Sequence, residues 1–280
     1  MARTALLLLL LAAGCVTLGL PRASSPTELT IHFLDVDYGL AILIHHRDGT
    51  AVLVDSGSMK YGDRVAEYIR GLGIDTVDLV INTHPHPDHI EGLVRVLELM
   101  PVPVVWGAFE AESREVSAEF RRALAADHAE YRTVRRGELW RRGDLVLEVL
   151  HPVTLVADLN DSSLVLRLRY KGFVAILAAD IGPAAQRELL DAFPEQLHAA
   201  VLQIPHHGGE GIPEFVTAVL PEAAVLSVGP NIYGNPHAET LMWYGAAGAS
   251  LLRTDVLGDI VVASNGRNFT VTTSRTSGVD

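Results

Sequence analysis

The sequence predicts an α/β protein in which a strand meander followed by helices occurs twice. Three observations carry that expectation. Apolar runs of strand length recur between Gly, Asp and Pro breaks, segments with helical apolar spacing lie between them, and two of the strands run straight into histidine-rich loops. With 280 residues, 49% of them hydrophobic, the chain can bury one large core or two small ones.

Taken from the start, Met1-Ala2-Arg3-Thr4 is a short, weakly basic opening, and residues 5–13 form an unbroken apolar run of signal-peptide length. Leu11-Ala12-Ala13-Gly14-Cys15 is similar to a bacterial lipobox, in which cleavage leaves Cys15 as a lipid-modified first residue and anchors the protein in the membrane. Cleavage near Ala23-Ser24-Ser25, or an uncleaved anchor, are alternatives, and all three place the remainder outside the cytoplasm as an exported protein. Residues 1–15 are therefore expected to be a leader, 16–27 a small, polar, proline-containing tether, and 28–275 the folded domain. Cys15 is the single cysteine, so an intrachain disulfide is excluded.

Strands are expected over 29–34 and 41–44, then over 51–55 after the Asp48-Gly49 turn, giving an antiparallel meander. Val65, Tyr68 and Ile69 give a helix over 63–72. Residues 77–82 read as a buried strand, followed by a helix from His89, a strand over 102–106, a helix over 113–126 and a hairpin pair ending at Leu150. The outline then recurs. Strands over 163–170 and 173–177 flank the Lys171-Gly172 turn, a helix spans 183–193, and a strand over 200–204 ends at Pro205-His206-His207-Gly208-Gly209. A strand over 223–228, a loop over 229–237, a helix over 238–244 and closing strands around Leu251, Ile260 and Phe269 complete the domain.

The chemistry concentrates in His84-Pro85-His86-Pro87-Asp88-His89. In an extended segment, residues i and i+2 point to one side, and Pro85 and Pro87 favour that form, so His84 and His86 can share one cation. Asp88 and His89 fall where a helix begins and can face a second. Asp88 with Glu91 also fits a capping box, which is compatible with ligation because a capping carboxylate keeps a second oxygen. The formal net charge of −12 argues against a broad electrostatic hold on nucleic acid or anionic lipid. The one local basic run, Arg135-Arg136 with Arg141-Arg142, reads as the solvated face of a hairpin.

An ordered set of motifs resembles the metallo-β-lactamase superfamily, and within it the hydrolase domain of ComEC-type competence proteins. The set runs from Phe33-Leu34-Asp35-Val36 through Val54-Asp55-Ser56-Gly57, the histidine loop, Asn160-Asp161-Ser162-Ser163, Ala179-Asp180-Ile181 and Pro205-His206-His207-Gly208 to residues 231–240 and Arg253-Thr254-Asp255. The resemblance implies an αββα sandwich with one or two divalent ions, Zn or Mn, in a cleft along one sheet edge. It makes His84 and His86 ligands of the first metal, Asp88 and His89 of the second, and Asp180 the bridging carboxylate. One of His206 and His207, with His206 preferred, completes the second site, and Asp55 orients a ligating imidazole. Three departures stand out: Asn160 occupies the region where the wider superfamily supplies another first-site histidine, Asp37-Tyr38-Gly39-Leu40 replaces Gly-Gln-Gly-Asp, and Asn235 replaces a histidine before Pro236-His237.

The implied chemistry is a hydrolysis in which Asp88 and Asp180 position a metal-activated water and His237 or the unligated His207 protonates the leaving group. The expected substrate is a phosphodiester, with other esters, lactones and lactams as alternatives, because a fold does not choose among them. A surface binding module with a decayed first site is the reading from another class.

Overall fold

The computed structural model describes residues 28–276. The expected leader, the lipobox-like Cys15 and the tether lie outside the described residues. Among the described residues no helix is long and apolar enough to cross a membrane.

The first sheet begins with the meander β1 (Leu29–Phe33), β2 (Ile42–His46) and β3 (Ala51–Val54) and continues through β4 (Leu79–Asn82), β5 (Val104–Gly107) and β6 (Glu130–Thr133). Neighbours from β3 to β6 are parallel, so they need crossovers, which α1 (Gly62–Gly71), α2 (Pro87–Leu99) and α3 (Ala118–Asp127) supply. The second sheet repeats this plan. Antiparallel β7 (Leu139–Arg142), β8 (Leu145–His151), β9 (Val165–Tyr170) and β10 (Phe173–Leu177) lead into parallel β11 (Val201–Gln203), β12 (Ala223–Leu226) and β13 (Ser250–Arg253). Here α4 (Pro183–Ala192), α5 (Pro213–Val219) and α6 (Ala238–Ala246) make the crossovers. After the short α7 (Thr254–Leu257), β14 (Ile260–Ser264) and β15 (Phe269–Thr273) return to the first sheet beside β1.

Strand periodicity divides the core. Ala175 and Leu177 of β10 join Phe33, Leu43, Leu147 and Leu168 in one buried cluster between the sheets. Ile176, between them in sequence, faces the other way with Leu202 and Ala224, against Leu189, Phe215 and Tyr244 of α4, α5 and α6. On the first sheet, α1, α2 and α3 contribute Val65, Ile69, Leu93 and Phe120. The result is the expected αββα sandwich.

The differences from expectation are local. Helix α2 starts at Pro87, not His89, with His86 at its N-cap and no side-chain cap bond; proline suits that first position because it has no N–H to leave unsatisfied. Asp88 is therefore inside the first turn and not the N-cap of a capping box. Helix α3 starts at Ala118, where Ser117 accepts a cap bond from Phe120 N at 3.1 Å. The expectation had no strand at β6, whose sequence Glu-Tyr-Arg-Thr carries little apolar signal because it is a sheet edge. Arg141 and Arg142 are exposed on the β7–β8 hairpin, as expected of a solvated face. Arg135 and Arg136 are instead tied to the carbonyls of Ala108 and Leu150.

Gly92 sets the seat of α2. A Cβ there would lie 2.1 Å from the Ser56 carbonyl oxygen and 2.8 Å from its carbonyl carbon, so the helix rests directly on the backbone after Asp55. Gly92→Ala must push these two segments apart, at a cost of about 3 kcal/mol and a fall in Tm of roughly 6–12 °C. Thermal unfolding monitored by circular dichroism measures this; an unchanged Tm would mean that the contact is not close.

Candidate metal centre

Several loops at one edge of the sheets carry parts of one cluster. Strand β4 runs into Thr83 and His84, and the first turn of α2 presents Asp88 and His89. Asp180 follows β10, and His206 and His207 follow β11. Two of these loops, and the one after β3, contain non-glycine residues with left-handed backbone: Ala179, both His206 and His207, and Asp55, all with φ between 49° and 53°. Such residues are uncommon and concentrate where a side chain must be aimed against local preference.

The donors converge on one atom. Asp180 Oδ2 lies 3.2 Å from His89 Nε2, 3.3 Å from His207 Nε2 and 4.0 Å from His84 Nε2. Asp88 Oδ2 lies 3.4 Å from His207 Nε2 and 3.8 Å from His89 Nε2. His86 Nδ1 is 3.0 Å from His84 Nε2. Ligand atoms within 4.8 Å of one another form two overlapping groups, His84 with His89 and Asp180, and Asp88 with His89 and His207.

Behind the donors stands Asp55, fully buried. Its Oδ1 accepts from Thr83 N at 2.8 Å, and its Oδ2 accepts from Thr83 Oγ1 at 2.6 Å and faces His89 Nδ1 at 2.7 Å. A carboxylate cannot donate, so His89 Nδ1 carries a proton and Nε2, facing Asp180, is the ring nitrogen that could hold a metal. His207 is oriented in the same way by the Ser227 carbonyl, 2.8 Å from Nδ1.

The expectation for the histidine pair is reversed. His207 is buried with Nε2 towards Asp88 and Asp180, whereas His206 is half-buried with Nε2 3.1 Å from Asn160 Nδ2. The physical reason is the consecutive left-handed pair, which turns the second ring inward in a way no spacing rule encodes. His207 therefore belongs with the donors rather than with proton transfer, and His206 lines the cleft beside Asn160. His151 is turned to the Ser163 carbonyl at 3.1 Å and to Glu188, away from the cluster. His237, at the N-cap of α6, is exposed on the cleft rim.

The residues fit a bound cation. His207 Nε2 and Asp180 Oδ1 are buried with no hydrogen-bond partner, which isolated polar atoms avoid unless something else satisfies them. Imidazole nitrogens and carboxylate oxygens spaced 3–4 Å apart are also what a four-coordinate ion with arms of about 2.1 Å would hold around itself.

Charge in the cluster is tightly balanced. Burial opposes the His207 imidazolium, but the charge of Asp180 and the closeness of the Asp180 and Asp88 carboxylates to its Nε2 outweigh it and push it up to about 9. Burial likewise opposes the His89 imidazolium, and Asp180 and Asp55 hold it well above the usual range. Burial would raise Asp88, yet the nearby His207 ring and the charges of His89 and His207 bring it down to about 2. His84 is held neutral by burial and by its neighbour His89.

The chain belongs to the metallo-beta-lactamase superfamily, whose family model matches residues 34–230. Fold and donor set together make it a metal-dependent hydrolase, in a superfamily whose fold binds one or two metal ions. It is 28% identical to ComE operon protein 3 of Bacillus subtilis (strain 168) over 263 residues, covering 86% of this chain and 33% of that protein. It is also 28% identical to the uncharacterized protein YcaI of Escherichia coli (strain K12), over 65% of this chain and 22% of that one. The chain thus spans a third or less of the length of these relatives. Among solved structures, the metallo-beta-lactamase fold protein YhfI of Bacillus subtilis has a TM-score of 0.56 at 16% identity over 85% of this chain and all of that one. CmlA, a diiron beta-hydroxylase from Streptomyces venezuelae, has a TM-score of 0.57 at 14% identity over 86% of this chain and 55% of that one. At such identities these likenesses concern the fold alone.

Two predictions follow from the charge and hydrogen-bond geometry. Asp55→Asn places an amide against His89 Nδ1 and removes the anion that holds the proton there, so metal affinity should fall about 10–100-fold with the fold intact. Competition against a chelating dye measures it, and equal affinity would show that Asp55 does not orient His89. The second concerns protons. The raised values of His89 and His207 favour their protonated forms without metal, and ligation requires both neutral, so metal uptake should release protons. Calorimetry in two buffers of different ionisation heat at pH 7 should show this release, shrinking towards pH 9, and no buffer dependence would contradict it. The sign for the metal-free protein follows from the raised His207 value. Its contribution to stability is fully present below the ordinary 6.5 and is lost as the pH rises through about 9.

Proposed function

We propose that this hydrolase cleaves phosphodiesters outside the cytoplasm, using Zn or Mn held by His84, His86, Asp88, His89, Asp180 and His207. The observation that carries the proposal is the unequal endowment of the two halves of the cluster. His89 and His207 each face both Asp88 and Asp180, whereas His84 faces only Asp180 of the two, beside His86 and with Asn160 along the same cleft wall. A centre with few protein ligands leaves positions for substrate oxygens, and a diester offers two non-bridging oxygens at once.

When bound, a divalent cation lowers the pKa of water and stabilises charge on the electrophile's oxygens. The chain's own residues do the rest. Asp180 and Asp88 accept hydrogen bonds from the attacking water and fix its direction. Asp55 and the Ser227 carbonyl keep His89 and His207 in the ligating tautomer. His237, on the rim, is placed to give a proton to the departing oxygen.

The cleft, about 360 Å³ in volume, suits a small diester or the end of a single strand rather than a duplex laid across it. The acidic balance of the chain favours the same choice, because a polyanion would be held only at the site itself. Export rests on the apolar run at residues 5–13 and on Cys15, with the membrane reached through a lipid on that cysteine.

The test is a metal-stripped chain reconstituted with Mn²⁺ or Zn²⁺ and assayed on bis(4-nitrophenyl) phosphate, a thymidine oligonucleotide, a lactone and a cephalosporin. Metal-dependent phosphodiester turnover that drops at least about 100-fold in His207→Ala, and not in His206→Ala, is the expected result. Turnover of the lactone or lactam alone would overturn the substrate assignment. Cys15→Ser should move the expressed chain from the membrane to the soluble fraction; a chain that stays on the membrane would rule out lipid anchoring through Cys15.

A further inference from the structure

Tyr38 stands in the cleft wall, with its ring between His207 (centroids 4.3 Å apart) and Tyr233 (5.2 Å). Its hydroxyl meets Asn235 Nδ2 at 3.0 Å, and the direction of that bond is forced. Asn235 Nδ2 also lies 3.3 Å from the His206 carbonyl oxygen, which can only accept, so the NH₂ end of the amide must point this way. An amide NH₂ has no lone pair to offer in return, so the Tyr38 oxygen is the acceptor. Its own proton is left over, and among the described residues no group accepts it.

Asn235 is not free to turn. Its backbone N–H donates to Asn231 Oδ1 at 3.1 Å, and its carbonyl accepts from Asn231 Nδ2 at 2.7 Å, so one side chain fixes the loop on both sides of the amide. On the other flank, Gly39 has φ +152° and a Cβ there would be 2.6 Å from the Asp88 carbonyl oxygen. The residue after Tyr38 is thereby pressed against the first turn of α2. The phenol thus shares the cleft with Asp88 and Asp180 in one orientation, with a hydrogen to give.

We propose that Tyr38 is a further catalytic residue of this site: its hydroxyl, turned by Asn235, donates a hydrogen bond to an oxygen of the substrate that gains negative charge during hydrolysis. Asn235 is the positioning residue. A fixed neutral donor aimed at developing charge acts without reorganisation at the moment of reaction. The inference rests on the hydrolase reading, and it holds for a phosphoryl oxygen or for the oxyanion of an acyl substrate alike.

The test uses the full chain loaded with Mn²⁺. Tyr38→Phe keeps the ring stacked on His207 and removes only the donor, so kcat should fall about 10²–10³-fold with little change in KM or metal content. Asn235→Asp places a carboxylate where the NH₂ was, draws the phenolic proton to itself and should reduce kcat to a similar extent. The two changes should not add in the double variant, whereas two separate structural defects would. Inorganic phosphate, titrated calorimetrically, should bind more weakly to Tyr38→Phe than to the wild type. A Tyr38→Phe variant within about twofold of wild-type kcat, or additive losses in the double variant, would overturn the proposal. If the wild type hydrolyses a lactone and no diester, the substrate assignment fails, and the Tyr38→Phe ratio measured on the lactone still decides the role of Tyr38. If nothing is turned over, equal phosphate binding by the two proteins overturns it.

Discussion

Everything in this half of the molecule turns on one buried carboxylate oxygen, Asp180 Oδ2, which faces the imidazoles of His84, His89 and His207. Asp180 hangs from the second sheet and His84 and His89 from the first, so the two sheets of the sandwich meet in this contact. A carboxylate that is 3% exposed is expensive to ionise alone, and it stays charged here because His207 and His89 answer it. Remove that balance and the edges of the two sheets would present like or orphaned charges to each other. The core between the sheets can be rebuilt from many apolar side chains, but this edge has one workable arrangement.

The same need explains the strained backbone around it. Asp55, Ala179, His206 and His207 sit in the left-handed region, and each adjoins or supplies a group of the cluster. Asp55 illustrates why such strain is tolerated: its carboxylate collects Thr83 N, Thr83 Oγ1 and His89 Nδ1 at once. Three hydrogen bonds to a buried anion outweigh an unfavourable φ of one to three kcal/mol in order of magnitude, roughly speaking. Gly92, against the Ser56 backbone, brings the helix close enough for His89 to reach that anion.

Most of the architecture was legible in the chain because period-two and helical apolar patterns survive wherever an element faces the core. Residues 77–82 and 200–204 read as strands for that reason, and strand ends are where α/β folds collect their ligands. Strand β6 was not legible, since Glu130–Thr133 lies on an edge and packs little. In the site, the cluster from His84 to His89 was readable from composition alone, and Asp55 and Asp180 from their places in ordered motifs. Which of His206 and His207 faces the carboxylates was not, because neighbours separated by one residue are distinguished only by backbone dihedrals. Tyr38 escaped for a different reason: a lone tyrosine carries no pattern, and its role depends on Asn235, 197 positions away.

Tyr38 and Asn235 also change how the departures from the family pattern are weighed. Taken singly, a tyrosine in place of a glutamine and an asparagine in place of a histidine look like erosion of a site. In space they are partners, joined at 3.0 Å; Asn231 holds the backbone of Asn235, and the amide NH₂ donates to the Tyr38 oxygen, so the phenol keeps a proton to give. Erosion leaves polar groups unmatched at random. Here the pair is matched, and the hydrogen left over belongs to a hydroxyl that lines the cleft beside Asp88 and Asp180. That is the pattern of a site adjusted for chemistry, and it weighs against a binding module whose metal centre has decayed.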